Sequence, residues 1–111
     1  MPPSKYEVLF TRFAEVDLGE ILDFYIPKNL SFASRFIEVV ESRISELGSF
    51  PERGRVVPEL EKRSIVDYRE FIEGNYRIIY KVENLQVFIL AIIDGRRNFE
   101  EVVLSKLMRI I

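Results

Sequence analysis

The side chains in this chain that could do chemistry are arginines and carboxylates, because the usual catalytic groups are missing. Its 111 residues include no histidine and no cysteine. Histidine is the ordinary acid/base group near neutral pH, and cysteine is the ordinary thiolate nucleophile. Serine–histidine and cysteine–histidine pairs are therefore impossible, and a structural zinc site would lack its usual ligands. No metal or cofactor is expected. Three arginines stand out. Arg77 interrupts the strand-like "NYRIIY" (75–80), and Arg96 and Arg97 close "DGRR" directly after the next apolar run. Guanidinium groups so placed bind phosphates or carboxylates bidentately, on a ligand, on a partner or within the chain. Glu70, Glu73 and Glu83 are local carboxylates available to Arg77.

The elements that must position these arginines follow from periodicity. "YEVLF" (6–10) reads as a first strand. Thr11 can cap a helix in which Ala14, Leu18, Ile21 and Tyr25 form one stripe, ending before Pro27. Ser31 is the expected cap of a second helix, with Phe36, Val40, Ile44 and Leu47 on one face and Gly48 as its stop. So short a link predicts an antiparallel helical hairpin. An irregular middle, "SFPERGRVVPELEKRS" (49–64), carries several basic residues. Three runs, 68–72, 76–82 and 86–94, are separated by the turn signals "EGN" and "ENL" and predict an antiparallel meander. The last run is apolar on both faces, as in a central strand. "NFEEVVLSKLMRII" predicts a closing helix capped by Asn98, with Phe99, Val102, Val103, Leu107 and Ile110 seeking a surface to cover.

In "YRIIYKV", alternation puts Tyr76, Ile78, Tyr80 and Val82 against the helices and Arg77, Ile79 and Lys81 on the opposite face. Arg69, on the neighbouring run, is expected near Arg77. With Phe71 and Ile79 also assigned to this outer face, it is expected to stay partly apolar and open to a partner. Asp17, Glu20 and Asp23 read as a solvated helix face.

Bulk properties set the class. The length suits one domain (1–111), and 48% hydrophobic with 31% charged residues is an ordinary globular mixture. The opening "MPPSK" reads as a loose end. Cysteine-free composition, the absence of an apolar run near the ~20 residues of a membrane span, and the lack of a signal-peptide pattern predict a cytoplasmic protein without membrane contact. Net charge is −2: residues 1–52 hold five basic and nine acidic side chains, and residues 53–111 hold eleven and nine. That polarity is too mild to mark a nucleic-acid binder by itself.

Taken together, "VDLGEILDFYI", the run "PERGRVVPEL" (51–60), "YREFIEGNYRIIYKV" and "VFILAIIDGRR" resemble the RelE/ParE toxin superfamily over about Tyr6–Val103. The resemblance implies an α+β fold: an N-terminal strand, a helical hairpin, a β-meander of three further strands packed on it, and a short C-terminal helix. It implies a cognate antitoxin as partner, with a homodimer or a heterotetramer with the antitoxin as assemblies. Two activities occur in the superfamily. RelE-like members cut messenger RNA on the ribosome, whereas ParE-like members inhibit DNA gyrase by binding. For a nuclease, Arg77, Arg97 and Glu59 match positions of catalytic groups. Yet Val103 stands where such nucleases carry a tyrosine, and Tyr68 and Glu70 replace lysines. On its own residues, Glu59 reads as a loop carboxylate paired with Arg55 or Lys62. "YREFIEGNYRIIYKV" is closer to ParE-like members. The expectation is thus a binding inhibitor rather than an enzyme, with Arg69, Arg77, Arg96 and Arg97 as partner-binding candidates. A ribosome-dependent nuclease, or a non-toxic binding relative, is the alternative.

Overall fold

A computed structural model describes residues 5–110; most of the expected loose start, residues 1–4, lies outside them. The chain runs β1 (Glu7–Phe10), α1 (Arg12–Tyr25), α2 (Leu30–Glu46), β2 (Arg55–Val56), α3 (Pro58–Glu61), β3 (Tyr68–Glu73), β4 (Tyr76–Glu83), β5 (Gln86–Asp94) and α4 (Phe99–Met108). The five strands form one sheet in the order β1-β5-β4-β3-β2. β3, β4 and β5 are the expected antiparallel meander, while β1 pairs parallel with β5. β5 is therefore an interior strand, flanked by β1 and β4, as its two-sided apolar pattern requires. The β3–β4 and β4–β5 turns place Gly74 and Asn84 at φ of +59° and +56°. Glycine and asparagine are the residues that tolerate that conformation.

The Thr11 side chain caps α1 by accepting from Ala14 N–H at 3.3 Å, and its hydroxyl donates to the Ile89 carbonyl at 2.6 Å. α2 is capped by Asn29, not Ser31: the Asn29 side-chain oxygen accepts from Phe32 N–H at 3.0 Å. Ser31 already lies inside the helix. The hairpin covers one face of the sheet. Ala14, Phe36, Val40 and Leu47 pack there on Phe71, Tyr76, Ile78, Tyr80, Val87, Ile89 and Ile92.

The opposite face is not left open. Val57 and Leu60 from the α3 region, with Phe99, Val103 and Leu107 from α4, bury Ile79, Leu90, Ala91 and Ile93. The molecule has three layers, with helices on both faces of the sheet. Ile79 is fully buried, and Phe71 lies on the hairpin side. The reason is register: Phe71 sits opposite Ile78, and cross-strand partners share a face. The β4–β5 register also skips Leu90, passing from Ile79↔Ala91 to Tyr80↔Ile89. This bulge lets adjacent Leu90 and Ala91 both contribute to the α4-side core.

Candidate functional site

Arg77 projects from β4 away from Tyr80, as alternation predicts, but it is buried, with 9% of its surface exposed. It donates through Nε and Nη2 to Glu70 at 2.8 and 2.9 Å, and through Nη1 and Nη2 to Glu59 at 2.9 and 2.7 Å. Its guanidinium carbon lies 3.4 Å from the Phe99 ring centroid. Arg55 Nε adds a 2.7 Å bond to Glu70, whose side chain is entirely buried. Two arginines and two carboxylates thus form a neutral network that joins β2, β3, β4 and α3 and supports the start of α4. Burial lowers the Arg77 pKa, but the hydrogen bonds to Glu59 and Glu70 outweigh it, and the net shift is upward. The bond from Arg77 in turn holds the Glu59 carboxyl below its usual range. Glu59 is a residue of α3, not of a loop, and its partner is Arg77 rather than Arg55 or Lys62.

The "PERGRVVPEL" run builds this network one residue at a time. A side chain at Gly54 would meet the Glu70 carbonyl at 2.5 Å and the Tyr80 hydroxyl at 2.6 Å. Only glycine allows so close an approach, and its N–H donates to that hydroxyl at 2.9 Å. Arg55 reaches Glu70, Val57 and Leu60 are buried, and Pro58 opens α3, where its missing N–H costs nothing.

Arg69 is not near Arg77. It lies opposite Tyr80, so it shares the hairpin face, and its Nη1 donates to the Gly54 carbonyl at 2.8 Å. Arg96 is exposed and closes onto Asp94 through bonds of 3.0 and 2.8 Å. Arg97 is exposed and makes no side-chain hydrogen bond or ion pair with the described residues. Both line an open groove of about 390 Å³ between α1, the end of β5 and α4, with Phe24, Tyr25, Tyr76 and Lys106. Arg77 does not contribute to it. The sequence candidates therefore fall into two separate places: a buried network with Arg77 and Glu59, and a groove with Arg96 and Arg97.

Asp17 corrects the reading of a solvated acidic face. It is 3% exposed. Its carboxylate accepts from Ile92 N–H at 3.0 Å, from Lys106 at 2.6 Å, and from Arg109 at 3.0 and 2.8 Å. β1 has four residues and β5 nine, so β1 stops at the level of Ile89 and leaves the later edge of β5 without a partner strand. Asp17 takes that orphan N–H and fastens α4 across it. The missed signal was phase: Asp17 falls between Ala14, Leu18 and Ile21 on the apolar stripe. Burial raises the Asp17 pKa, but the bonds from Arg109, Lys106 and Ile92 more than reverse it.

These shifts move away from neutrality. Glu59, Asp17 and Asp94 are lowered, whereas burial raises Tyr76 and Tyr80. General acid/base chemistry needs the opposite tuning. Val103, on α4, is fully buried in the core between that helix and the sheet, so its position presents no side chain to solvent. The geometry supports anchoring and surface recognition.

Residues 8–99 match the family model described as the ParE toxin of the type II toxin-antitoxin system parDE. Among solved structures, a chain of the chromosomal ParDE toxin-antitoxin system from P. aeruginosa is similar, with TM-score 0.61 and 19% identity over 79% of this chain and 94% of that one. A chain of the toxin-antitoxin complex RelBE2 from Mycobacterium tuberculosis is similar too, with TM-score 0.56 and 25% identity over 84% and 94%. No curated protein matches the chain in sequence.

Proposed function

This chain belongs to the ParE toxin family of type II toxin-antitoxin systems, and we propose that it is a growth inhibitor that acts by binding in the cytoplasm. Its implied target is DNA gyrase, and a cognate antitoxin neutralises it. The observation that carries this reading is the state of Arg77. A nuclease needs that guanidinium free for the scissile phosphate and a base beside it. Here Arg77 spends four hydrogen bonds on Glu59 and Glu70. Glu59, the candidate base, has both oxygens engaged by the same guanidinium, and its lowered pKa makes it a weaker base. Arg96 and Arg97 remain at the surface as contacts for a macromolecular partner.

Both solved neighbours come from toxin–antitoxin systems, which supports an antitoxin as the partner of this chain. The test is induction in cells, with and without the product of the adjacent small gene, followed by messenger RNA and chromosomal DNA. Expected are gyrase-dependent DNA breaks, intact messages, and rescue by the co-expressed neighbour. In-frame cleavage of translated messages would establish the ribosome-dependent nuclease instead. Unimpaired growth would leave only a non-toxic binding relative. Arg97→Ala separates the first two: a nuclease loses about 10²–10³ in rate with one phosphate-stabilising donor, whereas a broad interface loses at most about tenfold from one rim cation.

A further inference from the structure

The outer edge of β1 is open over a short window. Glu7 N–H donates to the Leu85 carbonyl at 2.9 Å and Thr11 N–H to the Ile89 carbonyl at 3.2 Å, so the odd-numbered residues of β1 turn their backbone groups to β5. Alternation turns those of Tyr6, Val8 and Phe10 the other way. The Gly48 carbonyl accepts the Tyr6 N–H at 3.0 Å, and the chain after Thr11 leaves the sheet as α1. Val8 and Phe10 are left with outward N–H and C=O groups and no strand beside them, since β1 ends the sheet order. Proteins usually shield such an edge with proline, lysine or a bulge. The strand "EVLF" has no proline or lysine, and its pairing with β5 runs without a register shift.

The side chains at this edge are apolar and only partly covered. Val8 and Phe10 pack on the hairpin side, where Phe10 borders a groove of about 370 Å³ with Leu18, Ile37 and Ile44. Glu41 is the one charged residue in the lining of that groove. Leu9 points the other way and is half-buried, yet it joins neither core cluster among the described residues. Charges flank the strand in balanced pairs: Lys5 and Glu7 at its start, Arg12 and Glu15 just past its end, all exposed.

We propose that β1 is a self-pairing edge, through which two copies of this chain form a two-fold dimer with one continuous sheet. A two-fold axis at Leu9 sets Val8 of one copy opposite Phe10 of the other. Both residues carry outward backbone groups, so each such pair exchanges both its N–H···O bonds. Leu9 meets its own copy at the non-hydrogen-bonded position, where side chains lie closest. On the hairpin side, the apolar grooves of the two copies adjoin across the seam. Backbone bonds alone accept any extended peptide; the side-chain register selects a second copy. Antiparallel pairing carries Glu7 to Thr11 of the other copy, next to Arg12, and carries Lys5 toward Glu15. Unlike charges therefore meet at both ends, and the axis itself is uncharged, as an isologous contact requires. An identical strand also matches the window in length, which the Gly48 turn and α1 close at either end. The interface goes beyond the binding-inhibitor reading and uses none of its arginines.

Sedimentation equilibrium of the purified chain measures this. A reversible dimer is expected, with a Kd on the order of 10 µM, as suits a small interface. Leu9→Lys and Leu9→Glu are each expected to weaken it at least about 30-fold, because a like charge then faces itself across the axis. Mixed in equal amounts, the two variants are expected to associate at least about tenfold more tightly than either alone, an outcome specific to self-pairing at Leu9. Val8→Pro removes an outward N–H, a change that edge strands tolerate, and is expected to weaken the dimer at least about tenfold while circular dichroism stays native. A wild-type chain that stays monomeric at about 200 µM would overturn the proposal. So would a dimer indifferent to these variants, or a mixture that gains nothing, since the contact would then lie on another face. Protection of the Val8 and Phe10 amides that appears only with the co-expressed product of the adjacent gene would assign the edge to that partner, and the proposal fails. Should a variant not fold, amide exchange on the wild-type chain decides alone: at Val8 and Phe10 it is expected to slow at least about fivefold between about 1 and 100 µM protein.

Discussion

Replacing Asp17 with alanine tests how the C-terminal helix is held. The substitution removes four hydrogen bonds, one from Ile92 N–H and three from Lys106 and Arg109. A buried N–H left without a partner costs about 1–3 kcal/mol. Breaking a buried ion pair by removing one member costs about 3–5 kcal/mol. The full value does not apply here, since the Lys106 and Arg109 side chains are 25% and 26% exposed and can turn to water. The combined loss is about 3–4 kcal/mol, against a total stability of about 5–15 kcal/mol for a domain. With a urea dependence of about 2 kcal/mol per M, the midpoint falls by about 1.5–2 M. Far-UV circular dichroism against urea measures it. Asp17→Asn should fall between wild type and alanine, because the amide still accepts from Ile92 but carries no charge for the two cations. Exchange of the α4 amides should accelerate more than exchange in α2. A stability for Asp17→Ala within about 0.5 kcal/mol of wild type, a midpoint shift of only about 0.25 M and the range of an exposed substitution, would refute the anchoring role.

The same carboxylate predicts an acid limit on stability. Asp17, Glu59 and Asp94 have folded pKa values below their ordinary values of 3.8, 4.5 and 3.8. As pH falls the unfolded chain takes up protons first, so stability is fully present above about pH 5 and is lost progressively below about pH 4; urea midpoints at intervals from pH 7 to pH 3 should show a plateau and then a decline. Arg77→Ala leaves Glu70 buried with Arg55 alone and should cost about 3–5 kcal/mol. Its effect on growth inhibition should follow the amount of folded protein, measured by soluble yield and thermal melting, and not exceed it. Gly54→Ala pushes a methyl group against the Glu70 backbone and the Tyr80 ring and should cost about 1–3 kcal/mol in the same melts.

Much of the architecture was legible in order and period. Residues 68–94 hold three runs rich in strand formers with turn residues at the breaks, so the meander followed directly. Apolar stripes marked both hairpin helices, and the two-sided apolar run of β5 marked it as an interior strand of the sheet. Alternation also sent Arg77 away from Tyr80, because a strand's period of two is independent of what it packs against. The lack of histidine and cysteine excluded whole classes of chemistry without any coordinates.

Tertiary structure decided which partner each charged group has. Glu59 and Arg77 are 18 residues apart, and Asp17 and Arg109 are 92 apart. Local pattern carries no record of contacts at such separations. The bulge at Leu90 and the four-residue length of β1 determined where backbone N–H groups were orphaned, and so where Asp17 had to go. Register sets Arg69 three positions from Ile72, the partner of Arg77, and that odd offset places the two arginines on opposite faces of the sheet. The docking of α3 and α4 then converted an apparent open arginine face into a buried ion network, since a guanidinium enclosed by helices must find carboxylates within the chain.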